Sequence, residues 1–256
     1  MFQSIISKKA HIDKSVYVGP FSIIEDNVKI GAHNSIGSHV IIKNGTIIGQ
    51  NNYINAGVQI GVNPQDYHFK GELSKCIIGD NNIIREYTTI SRATGKNKKT
   101  VLGDNNFIMT YVHIAHNVTV GSNCIIASGV QLGGYVLVDD FANIGGLAGI
   151  HQFCRVGKYA MLGAKSYLNK DLPPYVLARG NRAKVYGVNI KGLQHNSFST
   201  TDIESIKKLF TIIYDSSYTL SECIKILKKK EVTHKYAKEL LEFLVTSQRG
   251  VLLKTH

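Results

Sequence analysis

Residues 114–132 read IAHNVTVGSNCIIASGVQL, and an aliphatic residue occupies the first and every sixth later position of this stretch. The same register extends in both directions along the chain. From residue 12 to residue 168 it includes 27 positions, of which 24 are Ile, Val or Leu. The exceptions are Asp66, Glu72 and Lys96. A six-residue period sustained over this length indicates a solenoid of small stacked units.

Three such hexads make a coil of 18 residues, and stacked coils pair their backbones as parallel strands. Glycine follows half of the ladder residues, which we expect to mark corners where the backbone turns tightly. Most parallel crossovers are right-handed, but hexad repeats of this kind are typical of left-handed coils. By that analogy the sequence predicts an all-β fold, a left-handed parallel β-helix, over residues 1–189.

The three exceptions keep the six-residue register, so they predict loop excursions from a continuing prism near residues 62–77 and 92–100. Long loops on a rigid scaffold often carry function, and a plain solvated loop is the alternative for each. Pro173 and Pro174 predict the end of the ladder and a connector that runs to about Ser197.

Helical periodicity follows the connector. One apolar face contains Ile203, Ile206, Leu209, Phe210 and Ile213. A second helix is predicted to begin near Thr219, and a third to carry Tyr236 and Leu240. Residues 190–256 are therefore predicted to form a small α-helical domain that packs on the open end of the prism or on a neighbouring subunit.

The formal charge of +12 favours an acidic partner, whether nucleic acid, an anionic membrane, a phosphorylated metabolite or an acidic carrier protein. No stretch has the roughly 18 consecutive apolar residues of a membrane span, and the first nine residues lack a signal-peptide core. We therefore expect a cytoplasmic protein without a membrane span. The four cysteines are irregularly spaced, which suggests neither a disulfide framework nor a structural zinc site.

The pair His113 and His116 lies in the middle of the ladder and is compatible with metal ligation, general-base catalysis or simple surface polarity. Residues 18 apart lie above one another in adjacent coils, so His116, Gly134 and Gln152 are predicted to stack, with His151 beside the top. No cysteine or carboxylate accompanies the histidines in this stack. The pattern favours an acid/base site over a metal site, and it leaves surface polarity open.

The ladder occurs together with a set of short motifs. These are Pro64-Gln65-Asp66, His113-Ile114-Ala115-His116, Gly145-Gly146, His151-Gln152-Phe153, Pro173-Pro174-Tyr175, Gly187-Val188-Asn189-Ile190 and Ser247-Gln248-Arg249-Gly250. In this combination the chain resembles the acyl-carrier-protein-dependent UDP-N-acetylglucosamine O-acyltransferases, which begin lipid A synthesis. The resemblance covers nearly the whole chain, whereas many sugar acetyltransferases share only the prism.

The resemblance implies a homotrimer with active sites in clefts between neighbouring prisms. The implied reaction moves an (R)-3-hydroxyacyl group from the phosphopantetheine of acyl carrier protein to the 3-hydroxyl of the UDP-sugar. It needs no metal or other cofactor, and neither nucleic acid nor a membrane is an implied partner. His116 would be the general base, and the Gly134 N–H would bind the oxyanion.

The resemblance also implies a set of substrate contacts. The implied substrate-binding residues are Asp66, His68, Ser91, His113, His151, Gln152, Asn189 and His195. Ala164 falls where the family sets acyl-chain length, and a small side chain there leaves room for longer chains.

Several positions depart from the family pattern. The aspartate that usually follows the catalytic histidine is Asn117, which offers hydrogen bonding without a compensating charge. His68 replaces a lysine, Ser91 a histidine and His195 an arginine. Ser91 could accompany a 3-amino sugar acceptor, in which case the product would be an amide.

Two further hypotheses come from other classes. One is an acyl-CoA-dependent N-acyltransferase that acts on a nucleotide-linked 3-amino-deoxy sugar. The other is a catalytically silent prism that only scaffolds a trimer. Assays with both donors separate the first from the carrier-protein enzyme, and replacement of His116 separates the second.

Overall fold

The prism consists of three long sheets that face one another around a narrow core. The computed structural model describes residues 3–214, 218–231 and 235–252, and only the backbone of Lys230 and Glu231. The first sheet contains Ile5–Ile6, Ile23–Ile24, Ile41–Ile42, Gln59–Val62, Thr89–Ser91, His113–Ile114, Gln131–Leu132, Gly149–Ile150 and Tyr167–Leu168. The second contains His11–Ile12, Lys29–Ile30, Thr46–Ile48, Lys75–Ile78, Lys99–Leu102, Thr119–Val120, Leu137–Val138 and Arg155–Val156. The third contains Tyr17–Val18, Ser35–Ile36, Tyr53–Ile54, Ile83–Ile84, Phe107–Ile108, Ile125–Ile126, Asn143–Ile144, Met161–Leu162, Val176–Arg179 and Lys184–Val188.

The strand register follows the predicted coil. His113 pairs with Gln131, 18 residues further on, and Gln131 pairs with Gly149 in the same way. The spacing grows only where an excursion is inserted, as between Gln59 and Thr89. The aliphatic ladder residues from Ile24 to Leu168 are buried, each at most 4% exposed. The predicted left-handed parallel β-helix with a small helical domain is confirmed.

The glycines that follow the ladder have a different role from the one predicted. Except at Gly61, whose own φ is +76°, the left-handed backbone conformation belongs to the residue two positions later, for example Asn123 with φ of +60°. At Gly31, by contrast, an added Cβ would lie 2.6 Å from the Gly49 carbonyl oxygen in the next coil. These glycines are required because adjacent coils approach too closely for a side chain.

The three corners of the prism differ in content. Both excursions, residues 63–74 and 92–98, leave between the first and second sheets, and we call this edge the excursion corner. His116, Gly134 and Gln152 lie on it in successive coils. The edge between the second and third sheets carries Gln50, Asp80, Asp104, Ser122 and Asp140, and we call it the capped corner. The third corner, which returns to the first sheet, carries Gly146 and Ala164.

The chain after Leu168 is more regular than the sequence suggests. Pro173 and Pro174 were expected to end the ladder, but Leu172 still pairs with Val156, and Val176–Arg179 adds a further strand beside Met161–Leu162. The prolines fit because they occupy a turn in which no N–H is required. An antiparallel hairpin to Lys184–Val188 and a short helix replace the predicted connector.

Four helices complete the described chain: α1 (Ile190–His195), α2 (Thr200–Tyr214), α3 (Leu220–Glu231) and α4 (Lys235–Val245). The last three match the predicted helices, and α1 was not predicted. Residues 215–217, 232–234 and 253–256 of the predicted helical domain lie outside the described residues. The helices cover the C-terminal end of the prism, where Tyr236 packs edge-on against Tyr175. Within the described ranges, no helix has both the length and the apolar character needed to cross a bilayer.

Candidate active site

His116 lies at the excursion corner, two residues after the strand that ends at Ile114. Its side chain is 12% exposed. The ring meets Tyr135 edge-on, with centroids 5.4 Å apart. The imidazole is therefore held in place by packing while one edge faces a surface groove.

Gly134 lies directly above His116, as the 18-residue coil requires. A Cβ placed on Gly134 would lie 2.6 Å from His116 Nε2. The Gly134 carbonyl accepts from the Phe153 N–H of the next coil over 3.0 Å. Among the described residues, the Gly134 N–H has no acceptor. Only glycine fits here, and its N–H is available to a ligand.

Asp66 comes to His116 from the first excursion. Its Oδ2 lies 3.8 Å from His116 Nε2, and both side chains are 12% exposed. The His68 N–H donates to Asp66 Oδ1 over 3.0 Å. This hydrogen bond has the largest effect in lowering the pKa of Asp66 to about 2, and the side chains of Thr94 and His68 and, least of all, attraction to His116 lower it further. An ionised carboxylate therefore lies beside an imidazole nitrogen of His116.

The two excursions hold each other over the corner. Glu72 Oε1 accepts from the Gly95 N–H over 2.5 Å, and Arg92 Nε donates to Ser74 Oγ over 3.0 Å. The backbones also meet, because the Asn97 N–H donates to the Leu73 carbonyl over 2.9 Å. These contacts fix the excursion that carries Asp66.

His113 lines the same groove from the first sheet. Its Nδ1 lies 2.7 Å from Thr89 Oγ1. Burial, with a smaller contribution from repulsion by His116, lowers the pKa of His113 below its usual value. His113 is thus a neutral hydrogen-bonding group, suited to a polar ligand.

The groove has a volume of about 400 Å³ and extends from His116 and Gly134 to His151 and Gln152. Sequence reasoning missed Arg249, which approaches from the C-terminal tail and places Nη2 3.2 Å from His151 Nδ1. The tail motif was visible, but its contact spans 98 residues and no period reports it. Gln65, from the Pro64-Gln65-Asp66 motif, and Tyr167 also line the groove, and neither was predicted as a site residue.

Three predicted residues border neither this groove nor a larger groove on the third sheet. Ser91 is only 1% exposed, at the end of its strand. The His68 side chain is 91% exposed, with Nδ1 3.0 Å from Asp66 Oδ1. Ala164 is exposed at the third corner.

Asn189 and His195 border a different groove, of about 790 Å³, on the third sheet. The Asn189 amide is already engaged, since it donates to the Tyr159 carbonyl and accepts from the Gly192 N–H at the start of α1. His195 is exposed at the end of α1. A single chain therefore does not bring these two residues to His116.

The arrangement around His116 suits acyl transfer. An imidazole beside an ionised carboxylate can accept a proton, and a free backbone N–H can stabilise an oxyanion. Within residues 3–214, 218–231 and 235–252, no three His, Cys, Asp or Glu side chains cluster in a way that could hold a metal ion.

Two family models match the chain. The bacterial transferase hexapeptide repeat matches residues 9–44 and 99–134. Domain 2 of UDP-N-acetylglucosamine O-acyltransferase matches residues 171–252. Together they include parts of both the prism and the helical end.

Several relatives match over nearly their full length. An acyl-[acyl-carrier-protein]–UDP-N-acetylglucosamine O-acyltransferase of Thermodesulfovibrio yellowstonii is 47% identical, with 97% of this chain and 96% of the relative covered. One of the same name from Aliarcobacter butzleri is 41% identical over 97% and 95%. The solved UDP-N-acetylglucosamine acyltransferase of Francisella novicida superposes with a TM-score of 0.97 at 37% identity, with 100% of this chain and 95% of that chain covered.

These names favour the carrier-protein enzyme over both the acyl-CoA-dependent hypothesis and the silent scaffold. The predicted family resemblance is confirmed. This chain belongs to the acyl-acyl-carrier-protein-dependent UDP-N-acetylglucosamine O-acyltransferases.

Proposed function

We propose that this chain transfers an (R)-3-hydroxyacyl group from acyl carrier protein to the 3-position of UDP-N-acetylglucosamine or its 3-amino analogue, the first step of lipid A biosynthesis. The observation that carries the proposal is the position of His116 Nε2. It lies 3.8 Å from the Asp66 carboxylate and directly beside Gly134. Membership of the family supports the identity of the substrates. The positions of His116, Asp66 and Gly134 support proton transfer and oxyanion binding.

The reaction needs one proton to move twice. Nε2 of His116 takes the proton of the acceptor 3-hydroxyl, or 3-amino group, as its oxygen or nitrogen bonds to the thioester carbon. The carbonyl oxygen becomes an oxyanion, to which the Gly134 N–H donates. The carbon–sulfur bond then breaks, and the leaving thiolate takes the proton from the His116 imidazolium.

Asp66 stabilises the charged intermediate state of His116. Two unit charges about 4 Å apart attract by about 1 kcal/mol in water and by about 4 kcal/mol at an effective dielectric constant of 20. The groove is partly enclosed, so the attraction lies between these limits. Because Asn117 is neutral, Asp66 is the carboxylate that we assign to this role.

The chemistry calls for no cofactor in the chain itself. The acyl group arrives activated as a thioester on the carrier's phosphopantetheine, and His116 carries the only proton that must move. Both the carrier thioester and the nucleotide sugar are cytoplasmic metabolites, which supports a cytoplasmic site of action.

We infer that the complete site requires neighbouring copies of a homotrimer. Asn189 and His195 border one groove and His116 another, so a cleft that contains both sets needs two copies. Co-expression of His116→Gln and His195→Ala chains tests this. If each variant alone is inactive, the whole co-expressed population, with equal amounts of the two chains assembled at random, should regain about one quarter of the wild-type activity. Mixed trimers with no activity would contradict sites shared between copies.

One assay tests the substrates. The protein is incubated with UDP-N-acetylglucosamine or its 3-amino analogue and with a mixture of 3-hydroxyacyl carrier proteins or acyl-CoAs, and the products are analysed by mass spectrometry. We expect a hydroxyacyl product from the carrier donors, as a base-labile ester or a base-stable amide according to the acceptor. Turnover with acyl-CoA and none with carrier donors would overturn the proposal.

A further inference from the structure

Asn117 occupies the left-handed position of the turn that follows His116, with φ of +61°. Its N–H donates to Thr100 Oγ1 over 2.9 Å. Asparagine adopts this conformation more readily than most residues. The turn thus explains the backbone of Asn117 but leaves the role of its side chain open.

The side-chain amide of Asn117 is fixed from both ends by one residue of the second excursion. The Thr94 N–H donates to Asn117 Oδ1 over 2.9 Å, and Asn117 Nδ2 donates to the Thr94 carbonyl over 3.0 Å. A backbone N–H can only donate and a carbonyl can only accept. The amide therefore has a single orientation, with its oxygen toward the Thr94 N–H.

This orientation determines where the neutral His116 ring carries its hydrogen. His116 Nδ1 lies 3.0 Å from Asn117 Oδ1, which is an acceptor without a hydrogen. Nδ1 must then be the protonated nitrogen, and Nε2 keeps its lone pair. We propose that Asn117 is a positioning residue, which holds neutral His116 as the Nδ1–H tautomer so that Nε2 faces the acceptor as the base. The catalytic meaning of Nε2 rests on the proposed function.

The second excursion, through Thr94, holds the Asn117 amide and is therefore more than a solvated basic loop. The peptide after Thr94 is itself held, because the Gly95 N–H donates to Glu72 of the first excursion over 2.5 Å. The first excursion also carries Asp66, which faces Nε2. The two excursions therefore act on different nitrogens of His116: the second orients Asn117, which accepts from Nδ1, and the first places Asp66 3.8 Å from Nε2, too far for a hydrogen bond but close enough to attract the imidazolium.

An aspartate would satisfy only part of this arrangement. A carboxylate at residue 117 still accepts from the Thr94 N–H and from His116 Nδ1, but it places an oxygen against the Thr94 carbonyl. Its charge would favour the imidazolium. In this chain, the amide sets the tautomer without adding that charge, and charge compensation falls to Asp66.

The tautomer is measured directly from imidazole ¹⁵N chemical shifts in the intact protein labelled with ¹⁵N-histidine. His116→Gln identifies the His116 signals. We expect an unprotonated Nε2 in the wild type and in Asn117→Asp, and a mixed or Nε2–H ring in Asn117→Gly, which keeps the left-handed backbone. Asn81→Gly, a left-handed turn position at the capped corner, is the matched control and should leave the ring unchanged.

Kinetics supply the second readout. Asn117→Gly should lower kcat by roughly 10- to 100-fold with little change in KM for the nucleotide sugar. Asn117→Asp should move the acid limb of the kcat/KM profile to higher pH. A wild-type ring with Nε2–H, or an unchanged tautomer in Asn117→Gly, would overturn the proposal. If the proposed function is wrong, the wild type will show no turnover. The ¹⁵N chemical shifts will still show which nitrogen of His116 is protonated.

Discussion

The capped corner and the excursion corner are built from the same type of turn, but the backbone N–H two positions after the ladder residue has different partners in the two. At the capped corner, a side chain from the next coil accepts that N–H, as when the Asp80 N–H donates to Asp104 Oδ1 over 2.7 Å and the Ser122 N–H to Asp140 Oδ1 over 2.8 Å. At the excursion corner, the residue above Gly134 is Gln152, and in the described chain the Gly134 N–H has no acceptor. The repeat places the turn N–H in the same position at both corners. The side chain one coil above determines whether that N–H forms an internal hydrogen bond or remains free for a ligand.

Inside the capped corner, a stack of buried asparagines also uses its hydrogen-bonding groups internally. Asn34, Asn52, Asn82 and Asn106 are buried one above another. Each amide oxygen accepts the N–H of the residue above, for example Asn82 to Asn52 Oδ1 over 2.9 Å. The buried side chains of the capped corner thus hydrogen-bond to one another from coil to coil, whereas the Gly134 N–H at the excursion corner has no acceptor among the described residues.

The largest effect is expected from a methyl group at Gly134. Gly134→Ala would place a Cβ 2.6 Å from the His116 ring, and we expect kcat to fall by about 10²- to 10³-fold as the base and the oxyanion donor separate. Gly146→Ala changes the same turn position at the third corner, where the nearest atom is 3.2 Å away. The control should keep kcat within about threefold. Equal losses in the two variants would contradict the assignment.

The next effect concerns stability alone. Asn52→Ala removes a fully buried amide and leaves the Asn82 N–H without its acceptor, so we expect the free energy of unfolding to fall by about 2–3 kcal/mol. Urea unfolding measures the loss, and the folded enzyme should keep its specific activity. Asn51→Gly, at the exposed neighbouring turn position, is the control. A loss of activity without a loss of stability would show that the capped corner contributes to catalysis as well as to stability.

Smaller changes in stability and kcat should follow from giving the Gly134 N–H an acceptor side chain at the excursion corner. Gln152→Asp places a carboxylate where Asp140 stands relative to Ser122, so it should accept the Gly134 N–H. We expect unfolding free energy to rise by about 0.5–1 kcal/mol and kcat to fall about tenfold more than in Gln152→Ala. Identical behaviour of the two variants would mean that the Gly134 N–H has no part in the reaction.

The smallest effect is the acid dependence of Asp66. Folding lowers its pKa from 3.8 to about 2, so its contribution to stability is complete above the unfolded value and is lost as the pH falls through this range. The urea midpoint of Asp66→Asn should therefore fall less steeply below pH 3.8 than that of the wild type. Parallel curves would show that the Asp66 contacts do not form in solution.

The fold was largely predictable because each six-residue unit buries one aliphatic side chain at the same position. Ladder residues such as Ile114 and Leu132 report the register directly, and the helical pattern around Ile206 does the same for α2. The hairpin after Pro174 was missed because a proline-containing turn inside a solenoid gives the same signal as the end of one. Helix α1 has six residues and only one buried side chain, Leu193, so it shows no periodicity.

The site was predictable only where the coil determines it. The contact of Gly134 with His116 follows from their 18-residue separation. Asp66 came from the family resemblance alone, because the path of an excursion has no period. The contacts of Thr94 with Asn117 and of Arg249 with His151 depend on tertiary folding between distant segments, and no local pattern encodes them.

The most direct test of the account is the rate of acyl transfer by His116→Gln, measured together with the affinity for UDP-N-acetylglucosamine. If His116 Nε2 takes the acceptor proton, kcat/KM falls by about 10²- to 10⁴-fold. Binding of the nucleotide sugar should stay within about threefold of the wild type. A variant that transfers the acyl group at a rate close to that of the wild type would contradict the account.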